Sequence, residues 1–325
     1  MLQFLLLVMK SWFVVGLIVV LLGTIGYIAL SDVSNQPTSS QNQQATQDLI
    51  DRADLISGGP PKDGIPSIDN PKFTNIDEAK WLSDNTDVFI LTINDTTRIY
   101  PQPILVWHEI VNDYVEGLPV AITYCPLCGS TVAYKRVIKG KPVEFGTTGL
   151  LYNSNLVMYD RLTDSYWTQI RGEAVIGELS GMKLEKLPLQ TMKWKEAQAR
   201  FPQAQVLSRE TGFSRAYGTD PYTNYYKREE ILFPVKNTQS EYDLGTKTII
   251  VGLTINNESR AYTEFDLLTQ RNITDTLGGV TIELIKEPDG FMTIINKHNG
   301  STIPWERDFW FAWLAFHPDT TVYQK

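Results

Sequence analysis

The chain has two cysteines, and they stand three positions apart in the pentapeptide Cys125-Pro126-Leu127-Cys128-Gly129. A Cys-x-x-Cys pair can chelate a metal, close a small disulfide or exchange thiols, whereas a lone cysteine does none of these by itself. Proline after the first cysteine and glycine after the second are typical of a tight zinc-ribbon turn, whose backbone N–H groups stabilise thiolate. The chemistry of the pair therefore depends on which other side chains reach the two sulfurs.

An internal duplication separates scaffold positions from positions specific to one half. The tetrapeptide Leu91–Asn94 recurs as Leu253–Asn256, and alternating apolar residues coincide at the same spacing. The second copy is shorter and lacks roughly residues 150–188. Further identities at the same spacing are Arg98 and Arg260, Tyr100 and Tyr262, Asp113 and Asp275, Gly117 and Gly279, and Pro126 and Pro288.

Residues that carry chemistry need persist in only one copy, and three possible metal ligands are lost together in the second. The replacements are His108 by Gln270, Cys125 by Glu287, and Cys128 by Gly290. We predict that His108, Cys125 and Cys128 form one site, since thiolate and imidazole ligands suit copper or zinc. Three ligands leave an open position, which favours catalysis or metal transfer. Met158 is a possible thioether ligand that would favour copper.

Two alternatives remain open. The pair is a dithiol–disulfide oxidoreductase centre if Cys125 is exposed and followed by a helix that lowers its pKa. Otherwise the pair is a structural disulfide in a non-catalytic binding module, whose cleft is lined by aromatic residues such as Trp167, Tyr217 and Tyr222. The sequence contains no serine-nucleophile elbow, phosphate loop or HExxH motif, so whether the protein is an enzyme stays undecided.

The segment that the second copy lacks is dense in side chains that recognise ligands. We predict that several of them line a pocket beside the cysteines, although a polar hairpin with one solvated face explains the same pattern. The candidates are Asn153, Asn155, Asp160, Arg161, Trp167 and Gln169.

The elements that position these residues are mainly strands. The predicted fold class is α+β, β-dominated: two related β-rich repeats, the second degenerate and shorter, packed as one globular unit after an N-terminal transmembrane helix. The predicted elements are a hairpin of Phe89–Ile93 and Arg98–Tyr100, strands Val120–Tyr124 and Thr131–Val137, and helices Pro103–Val111 and Trp194–Phe201.

The N-terminus predicts a membrane anchor. Residues Trp12–Leu30 carry no charge and are long enough to cross a bilayer as a helix. Lys10 before them and Asp32 after them favour a cytoplasmic N-terminus, with the folded domain at the cell surface or in the periplasm. A cleaved signal peptide is the alternative. The net charge of −8 argues against nucleic acid as a partner.

These observations divide the chain into five parts. They are the membrane anchor (1–31), a flexible polar tether (32–48), the first repeat with the cysteine pair (49–208), an inter-repeat loop region (209–250) and the second, degenerate repeat (251–325).

Several motifs together resemble a prokaryotic extracytoplasmic family catalogued as domain of unknown function 3179. The resemblance covers nearly all of the chain after the tether. It implies a secreted or membrane-anchored protein, and it implies no particular reaction. The motifs that carry it are Ile65–Pro71, Trp107–Asp113, Thr123–Gly129, Leu151–Arg161 and Asp220–Tyr222.

Overall fold

Antiparallel sheets dominate residues 47–325, the part of the chain that the computed structural model describes. The predicted β-dominated α+β class is confirmed. The helices are α1 (Gln102–Leu105), α2 (Trp194–Arg200), α3 (Thr223–Tyr226), α4 (Glu264–Gln270) and α5 (Trp310–Phe316), with 3-10 turns at Arg52–Asp54 and Ile76–Glu78. The strands are β1 (Ile56–Ser57), β2 (Phe73–Asn75), β3 (Asp87–Ile93), β4 (Thr96–Pro101), β5 (Ile110–Val115), β6 (Leu118–Cys125), β7 (Ser130–Lys135), β8 (Val137–Ile138), β9 (Lys141–Pro142), β10 (Phe145–Tyr152), β11 (Asn155–Asp160), β12 (Tyr166–Thr168), β13 (Glu173–Ile176), β14 (Glu185–Leu187), β15 (Gln190–Lys193), β16 (Gln205–Leu207), β17 (Ile249–Ile255), β18 (Glu258–Thr263), β19 (Asn272–Leu277), β20 (Val280–Lys286), β21 (Met292–Asn296), β22 (Glu306–Phe309) and β23 (Thr321–Val322).

One eight-stranded sheet joins both halves of the sequence. Its order is β23-β18-β17-β22-β7-β6-β5, with β14 also paired to β7. The junction is the antiparallel contact of β22 with β7, where Arg307 is opposite Thr131. The cysteine turn connects β6 to β7, so it lies beside the strand contributed by the second half.

A five-stranded sheet, β1-β10-β11-β12-β13, contributes to the same core. Met158 on β11 is opposite Trp167 on β12, and both are fully buried. Their side chains belong to one apolar cluster with Cys125, Cys128 and other residues of the central sheet. Burial of this continuous apolar surface is the main stabilising term.

The two halves contain hairpins of equal dimensions. β3 and β17 have seven residues each, and β4 and β18 have six. Both connections are two-residue turns that begin with an asparagine at positive φ, 50° at Asn94 and 49° at Asn256. Such φ values suit tight hairpin turns, where asparagine is tolerated. Matching strand–helix–strand segments, β15-α2-β16 and β22-α5-β23, close each half.

Most of the predicted elements are confirmed: the hairpin, the two strands around the cysteines and the helix that begins at Trp194. The helix predicted over Pro103–Val111 is too long. It ends at Leu105, since Glu109 adopts a left-handed φ of 59° and Ile110 begins β5. No helix between residues 47 and 325 is long and apolar enough to span a bilayer. The predicted anchor, and most of the tether, lie outside the described residues.

Candidate functional site

The cysteine turn has a backbone that its glycine makes possible. Cys125 ends β6, the Cys128 N–H donates to the Cys125 carbonyl at 3.1 Å, and β7 starts at Ser130. Gly129 has φ +61°, and a Cβ atom there would lie 3.0 Å from the Phe309 ring. Only glycine meets both conditions without strain. The turn therefore holds both sulfurs in the core rather than at the surface.

The two thiols are free and buried, with exposures of 1% for Cys125 and 0% for Cys128. The hairpin tip between β10 and β11 reaches them, because its turn residues Asn153 and Ser154 both have positive φ. The Ser154 carbonyl accepts from the Cys128 thiol at 3.4 Å, and the Asn155 amide donates to the Cys128 sulfur at 3.6 Å. Residues of the predicted recognition segment thus contact the pair directly.

The pKa values of the two thiols move in opposite directions. Burial by itself raises the pKa of Cys125. Hydrogen bonds with the Cys128 thiol and with the backbone N–H groups of Leu156, Cys128 and Leu127 lower this pKa and together outweigh burial, so the net shift is downward. Burial and the neighbouring Cys125 sulfur raise the pKa of Cys128 well above its usual value. Cys125 is therefore the more acidic thiol of the pair.

A buried amide relay extends from the sulfurs into the sheet. Asn155 donates to the Gln169 side-chain oxygen at 2.8 Å, and Gln169 donates to the Thr123 hydroxyl at 2.9 Å. Thr123 in turn donates to the Val132 carbonyl at 2.8 Å. This series of hydrogen bonds orients the side-chain amide of Asn155 so that its N–H groups point toward acceptors. One of these acceptors is the Cys128 sulfur.

The other predicted pocket residues have partners elsewhere. Asn153 accepts from the Lys236 N–H at 2.9 Å. Asp160 is buried. Its carboxylate accepts hydrogen bonds from the indole N–H of Trp167 at 2.9 Å and from the backbone N–H of Thr163. Arg161 binds Asp69, Glu144 and Ser67 near the surface. Trp167 is fully buried, so its ring does not line an open cleft.

His108 is buried, and both of its ring nitrogens are hydrogen-bonded. Nδ1 lies 2.7 Å from the Pro66 carbonyl, which can only accept, so Nδ1 carries the proton. Nε2 lies 2.6 Å from the Tyr217 hydroxyl. Burial lowers the pKa of His108, and the nearby charge of Arg215 lowers it as well. The hydrogen bond with the Pro66 carbonyl raises this pKa by less than burial lowers it. The neutral ring therefore accepts a hydrogen bond from the Tyr217 hydroxyl at Nε2, its one acceptor atom.

The predicted three-ligand set is not assembled in this conformation. Within residues 47–325, no group of three or more His, Cys, Asp or Glu side chains is placed to hold a metal ion. Cys125 and Cys128 are together, and Met158 shares their apolar cluster.

Two buried carboxyl groups near the sulfurs were missed by sequence reasoning. Burial, and then the Cys125 charge, raise the pKa of Glu109 well above normal. Burial and Glu306 do the same for the pKa of Asp308, with a smaller contribution from Cys125. Glu109 follows His108 in a recognisable motif, whereas Asp308 lies in the second half and carried no local signal.

The inter-repeat segment covers the cysteine turn. The Tyr225 hydroxyl donates to the Leu127 carbonyl at 2.8 Å, and the Tyr226 hydroxyl lies 3.1 Å from that of Tyr124. Both tyrosines belong to α3. The exposed Cys125 and following helix expected of a dithiol enzyme are both missing here, since Cys125 is buried and leads through a turn into β7.

These features define a β-rich α+β protein with a buried, asymmetric dithiol at the junction of its halves. A family model described as "Protein of unknown function (DUF3179)" matches residues 62–301, more than half of the chain. The chain belongs to this family, as its motifs indicated. No curated protein and no solved structure matches it.

Proposed function

We propose that the protein binds a soft monovalent cation, Cu(I), as a bis-thiolate of Cys125 and Cys128. The observation that carries this proposal is the direct contact of two free, buried thiols, one of which has a lowered pKa. Thiolates are the ligands that Cu(I) prefers, and a site shielded from water protects that oxidation state.

The donor set favours copper over zinc. A structural zinc ion takes four ligands in tetrahedral geometry, and a catalytic zinc ion takes three from the protein. Within residues 47–325, no His, Asp or Glu side chain is placed so that it could hold a metal ion together with the two cysteines. Two sulfurs suffice for Cu(I), which is stable in two-coordinate complexes.

Charge balance also supports a bis-thiolate. Two thiolates and Cu(I) carry one net negative charge, which needs hydrogen-bond donors in a dry core. The N–H groups of Leu127, Cys128 and Leu156 reach Cys125, and the Asn155 amide reaches Cys128. Burial raises the pKa values of Glu109 and Asp308, which disfavours further negative charge beside the sulfurs.

We also propose the cellular setting that the sequence predicts. Residues 1–31 anchor the chain in the membrane, residues 32–48 are its tether, and the folded domain lies outside the cytoplasm. A Cu(I) site there would serve to store the ion or pass it on. The uncharged run of Trp12–Leu30 supports this arrangement.

We infer that the two halves arose by duplication and that the second lost the chemistry. Equal hairpins support this, as does a shared hydrogen bond: Tyr100 to Asp113 and Tyr262 to Asp275, both at 2.7 Å. The second half retains a role in the site by supplying β22, which carries Asp308.

The test is an anaerobic titration of the reduced, detergent-solubilised full chain with Cu(I), against a colorimetric Cu(I) chelator. We expect one Cu(I) per chain, with a thiolate-to-copper absorption band that Cys125→Ser and Cys128→Ser both abolish. His108→Gln and Met158→Leu are the matched controls, and both should keep the full stoichiometry. Equal copper in the wild type and the double serine variant would refute the proposal.

A dithiol–disulfide centre is the second candidate, favoured by the unequal pKa values of the two thiols. A thiolate beside a protonated partner is the usual arrangement of an attacking and a resolving cysteine. This candidate predicts that the native chain oxidises reversibly to a Cys125–Cys128 disulfide in glutathione buffers. A pair that stays reduced in such buffers while binding Cu(I) excludes it.

A further inference from the structure

A cavity of about 610 Å³ lies apart from the cysteine turn, within the volume range of small-molecule sites. Its walls come from four places in the chain. They are the segment from Arg171 to Lys186, the β17–β18 hairpin, Leu277 at the end of β19, and the residues from Phe316 to Thr321 at the end of α5 and after it. The first of these is part of the stretch that the second repeat lacks.

Four cationic side chains line this cavity: Arg171, Lys183, Lys186 and Arg260. Each has a carboxylate partner that is not part of the cavity wall. Arg171 and Lys183 share Glu173 at 3.3 and 3.6 Å, Lys186 contacts Glu306, and Arg260 contacts Asp275 at 2.6 Å.

Arg171 and Lys183 share the carboxylate of Glu173, so their two positive charges are incompletely neutralised. One carboxylate serves both Arg171 and Lys183, and neither contact is shorter than 3.3 Å. Their side chains are 42% and 60% exposed, so they can turn toward a ligand at little cost. A lysine has three donors and an arginine five, which exceeds what Glu173 accepts.

His317 is the histidine of the cavity wall. Its Nε2 atom is buried and has no hydrogen-bond partner within the described residues, although Nδ1 lies 3.1 Å from the Ser259 hydroxyl. A buried polar atom without a partner costs free energy, so such atoms are rare. The ring is stacked on Trp313 at 3.8 Å, which fixes its position at the cavity wall.

The remaining polar wall suits hydroxyl groups. Glu258 and Asp319 are the carboxylates that line the cavity, and hydroxyls line it at Thr254, Ser259 and Thr320. Carboxylates accept hydrogen bonds from hydroxyl groups and repel a purely anionic ligand. A ligand with an anionic end and a hydroxylated body satisfies both parts of the wall.

We propose that this cavity binds a small phosphorylated or carboxylated sugar. The cations, chiefly Arg171 and Lys183, hold the anionic group, and Glu258 and Asp319 accept from the sugar hydroxyls. This site is independent of copper binding.

The test is isothermal titration of the detergent-solubilised full chain with glucose 6-phosphate, glucuronate, inorganic phosphate and glucose. We expect at least one of the two anionic sugars to bind more tightly than both phosphate and glucose. The Arg171→Gln/Lys183→Gln double variant should weaken that binding by at least about tenfold, because charge-assisted hydrogen bonds are the strong ones. His317→Phe should weaken it as well.

Controls separate this result from general charge effects and from loss of the fold. Lys141→Gln removes an exposed cation that does not line the cavity, and it should leave the affinity unchanged. Cys125→Ser should also leave it unchanged. The proposal is overturned if neither anionic sugar binds, if glucose binds as tightly, or if the double variant, with an unaltered circular dichroism spectrum, binds as the wild type does.

Discussion

The Nε2 atom of His108 lies 2.6 Å from the hydroxyl of Tyr217, a residue more than a hundred positions further along the chain. Because Nδ1 donates to Pro66, this contact occupies the lone pair that a metal ion would use. The contact joins the inter-repeat segment to the start of β5. His108 thus connects these segments in the structure.

His108→Gln should lower the free energy of unfolding by about 1–3 kcal/mol, because buried groups lose their partners. Tyr217→Phe removes only one of the two contacts and should cost less. Chemical denaturation of both variants measures the difference. A His108→Gln variant of wild-type stability that has lost its copper would instead identify His108 as a ligand.

Cys128→Ala should raise the pKa of Cys125 above its value in the wild type. Burial already raises this pKa, and the variant removes the Cys128 thiol, the largest of the groups that lower it. The ultraviolet absorbance of thiolate, followed against pH, reports the change. Cys125→Ala is the matched variant, and in it Cys128 should still titrate above the ordinary thiol range, since burial is the main cause of its shift.

Acid should destabilise the fold through His317. Burial, with Lys186 and Arg171, lowers the pKa of His317 to about 3, whereas an unfolded histidine titrates near ~6.5. Between these values the unfolded chain binds the extra proton. This contribution to stability is therefore complete above about pH 6.5 and is lost as the pH falls, at up to ~1.4 kcal/mol per pH unit.

Denaturation in phosphate-free buffers at neutral and mildly acidic pH tests this pH dependence. His317→Gln should flatten it, and His298→Gln, at an exposed position, should not. His108, whose pKa is also lowered by burial, should account for part of the slope that remains. Equal slopes in His317→Gln and the wild type would contradict the expectation.

Gly252→Ala should destabilise the protein by about 1–3 kcal/mol or more, as overpacked cores do. A Cβ atom at Gly252 would lie 2.4 Å from the ring of Trp313, which is fully buried. Gly245→Ala is the control, because its nearest neighbour is the Thr248 hydroxyl at 3.3 Å. Thermal unfolding of the two variants should separate them clearly, and equal midpoints would mean that the Trp313 ring moves at little cost.

Local patterns predicted the hairpin over Phe89–Tyr100 and the strands that flank the cysteine turn. Alternation of apolar residues and two-residue asparagine turns depend on neighbouring positions, so they can be read without the fold. The helix predicted after Pro103 is too long, because strand pairing further along the chain outweighs the local pattern. Its apolar residues fit a helix, but Glu109 takes a left-handed φ where the chain turns into β5, which is paired to β6.

The candidate site was only partly predictable. The spacing of Cys125 and Cys128 predicted that the two sulfurs act together, and the polar segment that contains Asn155 was predicted to lie beside them. Their burial under Tyr225, the proximity of Asp308 and the partner of His108 all come from segments distant in sequence.

Residue types and spacing thus specified a thiol pair in a tight turn and a β-dominated fold. Only the tertiary structure decided which side chains surround the sulfurs, because those contacts depend on how β22 pairs with β7 and where the segment at Tyr222–Tyr226 packs. The same packing set the two thiol pKa values apart, since burial and hydrogen bonds act through neighbours in space.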